Sequence, residues 1–306
     1  VKGDACDARG TFSRSAHSRY YAGVRANYHT HCDFCDGRAT AAEMAAAAAA
    51  KGYRILGFSS HSPLPFPNEG NMELSRLGEY AAEIRRLGRE WEGRGLEILL
   101  GLEIEWVKSL SSPRDELFRG IGLDYSIGSL HFVDLPGSGR FAVDLGREDF
   151  ERGAAAYAGD DVGRAIYLDY YGQLGELIEC GGFDILGHFD LVKKNNGDGR
   201  WFDEDSRDYL DAALGAARLL KGGDIVVEIN VGGISRGKAK SPYPSLPILR
   251  ELRGEGVRIT LSADAHAPEH LGANLDIARD YARAAGYDSV AVLSKGKWSE
   301  VGLENT

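Results

Sequence analysis

The stretch NYHTHCDFCDG, residues 27–37, places two histidines, two cysteines and two aspartates within eight positions. Three arrangements use such residues: a zinc knuckle, a redox dithiol, or one corner of a larger metal site. A zinc ribbon needs a second closely spaced pair of Cys or His, and Cys6 and Cys180 stand alone and far away. A thioredoxin-like dithiol opens a helix after a strand, whereas Asp36-Gly37 reads here as a turn. The cysteines are therefore read as small loop thiols, and the meaning of the histidines depends on what surrounds them in the fold.

Outward from this stretch the chain alternates. A strand near 25–31 precedes the Ala-rich helix TAAEMAAAAAAKGY, and ILGFSSH (55–61) leads through a Pro-rich loop to a charged amphipathic helix near 73–93. LEILLGLEIEW (96–106) and DYSIGSLHFVD (124–134) follow, then a polar insertion near 135–149 and a helical region to about Cys180. Three more strands, FDILGHFD (183–190), DIVVEINVGG (224–233) and VRITLSADAH (257–266), each precede a helical stretch. Short buried strands alternating with helices predict an α/β protein with a parallel sheet, and seven such units without a Pro/Ser-rich linker predict a distorted (β/α)7 TIM-like barrel. Residues 1–24 lack the apolar segment of a secretory signal, and Asp4 and Asp7 argue against a transit peptide. They are expected to form a solvated tail, leaving residues 25–306 as a single domain.

In such barrels chemistry gathers at the C-terminal ends of the strands. Six of the eight histidines stand there: His29 and His31 with Asp36 in the following loop, then His61, His131, His188 and His266. Glu103, Glu105, Asp190 and Asp264 stand beside them. One histidine ending an apolar strand is ordinarily a hydrogen-bonded core residue. Six at one rim, with carboxylates, carry several kcal/mol of desolvation and repulsion unless cations compensate them. Imidazole and carboxylate together suit zinc, manganese or iron. Nine of these side chains, the six histidines with Asp36, Glu103 and Asp264, exceed one tetrahedral ion and suffice for two or three, with Glu103 placed to bridge.

The net charge of −10 and pI near 5.4 disfavour nucleic-acid and membrane-surface partners, and no apolar run is long enough to span a bilayer. Four cysteines form no disulfide framework, so a reducing, cytoplasmic setting is expected.

YHTHCDFCDG, GFSSHSPLP, GLEIEW, GSLHFVD, ILGHFDL and LSADAH, in this order, resemble the motifs of the PHP (polymerase and histidinol phosphatase) superfamily, and within it the histidinol-phosphatase branch. The resemblance implies a trinuclear centre: one ion on His29, His31, Glu103 and Asp264, a second on Glu103, His131 and His188, a third on Asp36, His61 and His266. Some relatives carry His at the position of Asp36. GHFDLVKKNN and EINVGGISRGKAKSPYPS also resemble that branch, and Lys193, Lys194, Arg236 and Lys238 supply positive charge for a phosphoester, Arg236 foremost. Ser129 and Asn230 are expected to add polar contacts. The implied reaction is hydrolysis of a small phosphorylated substrate, L-histidinol phosphate, by water activated between ions, with Asp264 or His266 protonating the leaving group. Glu69, Glu105 and Asp134 are candidates for a substrate amine. The competing readings are a PHP phosphoesterase for a nucleotide or sugar phosphate, a DNA exonuclease, which the net charge disfavours, and a metal-binding regulatory module without catalysis. The oligomeric state is not legible.

Overall fold

The computed structural model describes residues 23–137, 139–197 and 199–306. The expected tail at 1–24 therefore lies almost wholly outside the described residues. The strands are β1 (Ala26–Asn27), β2 (Ile55–Phe58), β3 (Glu97–Leu100), β4 (Glu103–Glu105), β5 (Ile127–Ser129), β6 (Phe132–Asp134), β7 (Arg140–Ala142), β8 (Ile185–Leu186), β9 (Val226–Asn230), β10 (Ile259–Ser262), β11 (Ser289–Ser294) and β12 (Lys297–Gly302). The helices are α1 (Ala41–Ala50), α2 (Leu77–Trp91), α3 (Glu116–Arg119), α4 (Arg147–Ala154), α5 (Val162–Cys180), α6 (Arg207–Arg218), α7 (Gly232–Ser235), α8 (Leu246–Gly254) and α9 (Leu275–Ala284).

Two all-parallel sheets form, in the orders β1-β2-β3 and β10-β9-β8-β5-β4. Parallel bridges join them at both edges of the five-stranded sheet, Thr30 beyond β1 to Ala265 beyond β10 and His61 beyond β2 to Glu103 on β4. Strands β2, β9 and β10 are buried throughout, as expected where a parallel sheet is covered on both faces. The single strand expected at 96–106 is broken at Gly101-Leu102, so β3 pairs with β2 while β4 turns to β5. Gly101 permits this break: a Cβ there would lie 2.5 Å from the Tyr125 ring, whose hydroxyl donates to the Phe58 carbonyl at 3.1 Å.

Local sequence sets the helices. Thr40 and Glu43 form a capping box that starts α1, whose Met44, Ala45 and Ala48 are buried; small side chains let this helix lie close to the sheet. Helix α5 buries Tyr167, Tyr170 and Tyr171, and the Tyr171 hydroxyl donates to that of Tyr209 on α6. Two antiparallel hairpins depart from the series. β6–β7 occupies the polar insertion and brings Val143 to the His131 carbonyl, 2.9 Å from its N–H. β11–β12 turns at Lys295-Gly296, both at positive φ, a two-residue hairpin geometry. No described helix is long and apolar enough to cross a membrane.

Candidate metal centre

Glu103 is the hub. Its Oε2 lies 3.1 Å from His29 Nε2, 3.0 Å from His61 Nδ1 and 3.5 Å from His31 Nε2. Its Oε1 lies 2.9 Å from His188 Nε2 and 3.6 Å from His131 Nε2. Five imidazoles from four different strand ends thus converge on one buried carboxylate. Beside them, Asp264 Oδ1 lies 3.4 Å from both His31 Nε2 and His266 Nδ1, and Asp36 Oδ2 lies 3.2 Å from His266 Nε2. Close approach is built into the backbone. Asp264 sits at φ +46°, in the left-handed region that a short polar side chain tolerates, and a Cβ on Gly232 would come within 2.6 Å of its Oδ2.

Four overlapping groups bring donor atoms within 4.8 Å of one another: His31, Asp36, His61 and His266; His29, His31 and Asp264; His29, Glu103 and His188; and His61, Glu103 and His131. Together they contain all nine side chains expected as ligands. Their partition differs from the expected one, because His29, His31 and His61 each serve two groups. Four buried atoms in this cluster, His29 Nε2, His31 Nε2, His188 Nδ1 and Glu103 Oε2, have no well-formed hydrogen bond among the described residues. Of these, His29 Nε2 and His31 Nε2 face Glu103 Oε2, at 3.1 and 3.5 Å, an arrangement that cations resolve, and the donor set fits zinc, manganese or iron.

Electrostatics give the same answer. Burial raises the Glu103 carboxyl, but His29, His61 and His131 outweigh it and hold the group well below the usual carboxylate range. Burial lowers His61 and His131, yet the facing carboxylates, Glu103 and Asp36 for the first and Glu105 and Glu103 for the second, bring both to about 10. His31 is pushed down to about 3 by burial and by His266 and His61. The carboxylates demand positive charge, which protons supply on some imidazoles and divalent ions supply more compactly.

Partners behind the cluster fix ring orientation. Glu228 on β9 lies 2.9 Å from His29 Nδ1 and accepts the His188 N–H at 2.8 Å; Glu105 lies 2.6 Å from His131 Nδ1 and accepts that residue's N–H at 2.8 Å. Both hold the far ring nitrogen, so that His29 Nε2 and His131 Nε2 face inward. Glu105, one of three sequence candidates for a substrate amine, instead braces His131, and β9, which carries none of the nine expected ligands, supplies Glu228 as the brace of His29. Cys35 Sγ lies 3.4 Å from His31 Nδ1, and burial raises both the Cys32 and Cys35 thiols to about 11, the opposite of a redox-active dithiol.

A PHP-domain model matches residues 27–232, about two thirds of the chain. The chain belongs to the PHP family. A curated relative from Deinococcus radiodurans, named "Probable histidinol-phosphatase", is 31% identical over 80% of this chain and 87% of its own length. One of the same name from Schizosaccharomyces pombe is 26% identical over 80% and 81%. The crystal structure of Lactococcus lactis histidinol phosphate phosphatase, complexed with zinc, L-histidinol and phosphate, superposes with a TM-score of 0.65 at 21% identity, covering 90% of this chain and 98% of that one. It shares the fold.

The PHP cluster opens into a cavity of about 140 Å³ that is also lined by Asp144, Lys194, Arg236 and Tyr243. Arg236 Nη1 donates to the Asp264 carbonyl at 2.7 Å and lies 2.9 Å from His266 Nδ1, while Nη2 donates to Asp264 Oδ2 at 3.0 Å. Its Nε–H and one Nη2 hydrogen keep no partner among the described residues. Lys194 reaches the cavity, 3.1 Å from Asp144. Lys193 does not: its Nζ is buried against Asp190 at 2.8 Å and the Pro242 carbonyl at 2.9 Å, because consecutive residues of the short 3₁₀ turn at 191–195 point in different directions. Ser129 is fully buried with an unpartnered Oγ against Gly187, and does not line the cavity. Asn230 donates to Glu228 at 2.8 Å and accepts the Gly232 N–H at 2.8 Å, bracing the loop that carries Arg236. Glu228 shares a strand face with Asn230, two residues apart, which is the signal that could have marked it.

Proposed function

We propose that the protein hydrolyses L-histidinol phosphate to L-histidinol and phosphate, using two or three divalent ions held at the strand ends. The observation that carries this reading is the convergence of five imidazoles on Glu103, with unpartnered inward-facing nitrogens, beside a free face of Arg236 in a PHP chain whose curated relatives are named histidinol-phosphatase. The nine residues of the four groups are the proposed ligands, Glu103 shared between ions. When bound, the ions supply a nucleophilic water at neutral pH and stabilise charge on the phosphoryl group.

The chain's own residues do the rest. Arg236, with two N–H groups left over, receives phosphoryl oxygens, and Lys194 adds a second cation at the same cavity. Glu228 and Glu105 keep His29 and His131 aimed. His266 Nδ1 is engaged by Arg236 Nη1 at 2.9 Å and the Asp264 carbonyl at 3.1 Å, so its Nε2 is the nitrogen left for an ion. Asp264, raised by burial, is held well below the carboxylate range by Arg236 and His29. As proposed ligands, Asp264 and His266 would present lone pairs to the ions, which leaves solvent as the proton source for the leaving alkoxide.

The two parallel sheets, bridged at both edges, are read as a distorted (β/α)7 barrel, and residues 25–306 as its single domain. Chemistry of this kind belongs to amino-acid biosynthesis in the cytoplasm, a setting consistent with cysteines that form no disulfide framework. The test is phosphate release from L-histidinol phosphate beside nucleotide and sugar phosphates, with protein reconstituted in zinc, manganese or iron. The expected kcat/KM for histidinol phosphate is at least about a hundredfold above every other ester. A flat profile, or one peaked elsewhere, would leave a metal phosphoesterase and remove the substrate; no turnover of any ester would leave a metal-binding module.

A further inference from the structure

L-Histidinol phosphate carries an ammonium on the carbon next to the one bearing the ester oxygen, so a site that selects it needs an anion close to the phosphoryl pocket. Four carboxylates line the cavity: Asp36, Glu103, Asp144 and Asp264. Three belong to the groups of potential metal ligands, and Asp144 alone does not. The acids expected from sequence are engaged or distant. Glu105 holds His131, Asp134 lies 3.5 Å from Arg140, and neither Asp134 nor Glu69 lines the cavity.

Asp144 is held in place from two sides. It follows β7, whose hairpin is tied to the centre by the Val143 N–H donating to the His131 carbonyl at 2.9 Å, and Asn195 donates to the Val143 carbonyl at 2.7 Å. Its Oδ2 accepts from Lys194 at 3.1 Å, while Oδ1 has no partner among the described residues. The side chain is 21% exposed, enough for a ligand to reach and too little for water to screen fully.

We propose that Asp144 is the specificity residue for the substrate's ammonium, and that the substrate exchanges partners with the Asp144–Lys194 pair. The ammonium takes the carboxylate, and Lys194 turns to the phosphoryl oxygens beside Arg236. Each charge keeps a partner, so the exchange leaves no buried ion uncompensated. An ester without the amine pulls Lys194 toward phosphate and strands Asp144, which is how the site rejects it.

This inference rests on the proposed substrate, and the experiment separates the two. The kcat/KM ratio of L-histidinol phosphate to its des-amino analogue, 3-(imidazol-4-yl)propyl phosphate, is measured for wild type, Asp144→Asn and Lys194→Met, with metal content checked in each. The expected wild-type ratio is about a hundredfold or more, collapsing at least tenfold in Asp144→Asn and changing less in Lys194→Met. A ratio that stays within threefold in Asp144→Asn, or collapses equally in both variants, overturns the role of Asp144 and leaves the substrate reading intact. A wild type that turns over other esters but not histidinol phosphate removes both.

Discussion

The two rims of the strands differ in a way that cavity size would misjudge. At the N-terminal ends of β1–β3, against α2, lies a cavity of about 880 Å³, lined by groups such as Arg54, Arg89, Glu92 and Lys295 and by no histidine. At the C-terminal ends lies one of about 140 Å³ surrounded by buried imidazoles and carboxylates. Among the described residues, none lining the larger space has a buried side-chain donor or acceptor without a partner. The smaller one contains unpartnered donors and acceptors whose burial is costly unless cations are bound. A site is marked by unmet chemical demand more than by volume.

The largest effect that separates the rims is expected from Glu103→Gln. Losing one charge at the hub should lower kcat by about a thousandfold or more and reduce bound metal per chain, read by elemental analysis beside phosphate release. A variant with near-wild-type turnover would sink the bridging assignment. Arg236→Ala should lower kcat/KM by about a hundredfold, mainly through KM, without loss of metal; unchanged kinetics would remove Arg236 from the site.

Two neighbouring lysines make the comparison finer. Lys193→Met removes one member of a buried pair and should destabilise the fold by about 3 kcal/mol, seen in denaturant unfolding, because Asp190 is left uncompensated. Lys194→Met should shift stability far less and lower kcat/KM by about tenfold. Reversed outcomes would exchange their roles. Arg89→Ala, at the opposite rim, should leave kcat/KM within about twofold of wild type; a larger change would connect the large cavity to catalysis.

Much of the site was legible because polar residues at the ends of buried strands violate the pattern that surrounds them. His61, His131 and His188 stand out against ILGF, IGS and IL for that reason. Less legible was which side of a ring a carboxylate serves. Alternation places Glu105 with Glu103 and Glu228 with Asn230, but whether a residue faces the cavity or braces a ligand from behind depends on how neighbouring strands stagger. Lys193 and Lys194 diverge through the turn of a 3₁₀ segment, a geometry the sequence does not announce. Asp144 was hidden in an insertion read only as polar, since its importance comes from a hairpin that folds back onto His131. The C-terminal hairpin β11–β12 lies outside the repeating units, and no strand was expected there.

Metal stoichiometry decides whether the C-terminal rim holds several ions at once. Protein stripped by chelator, reloaded with zinc and freed of excess by gel filtration should retain two or three ions per chain, falling in Glu103→Gln. Retention of fewer than one ion per chain, with histidinol-phosphate turnover unaffected by chelation, would contradict a multi-ion rim.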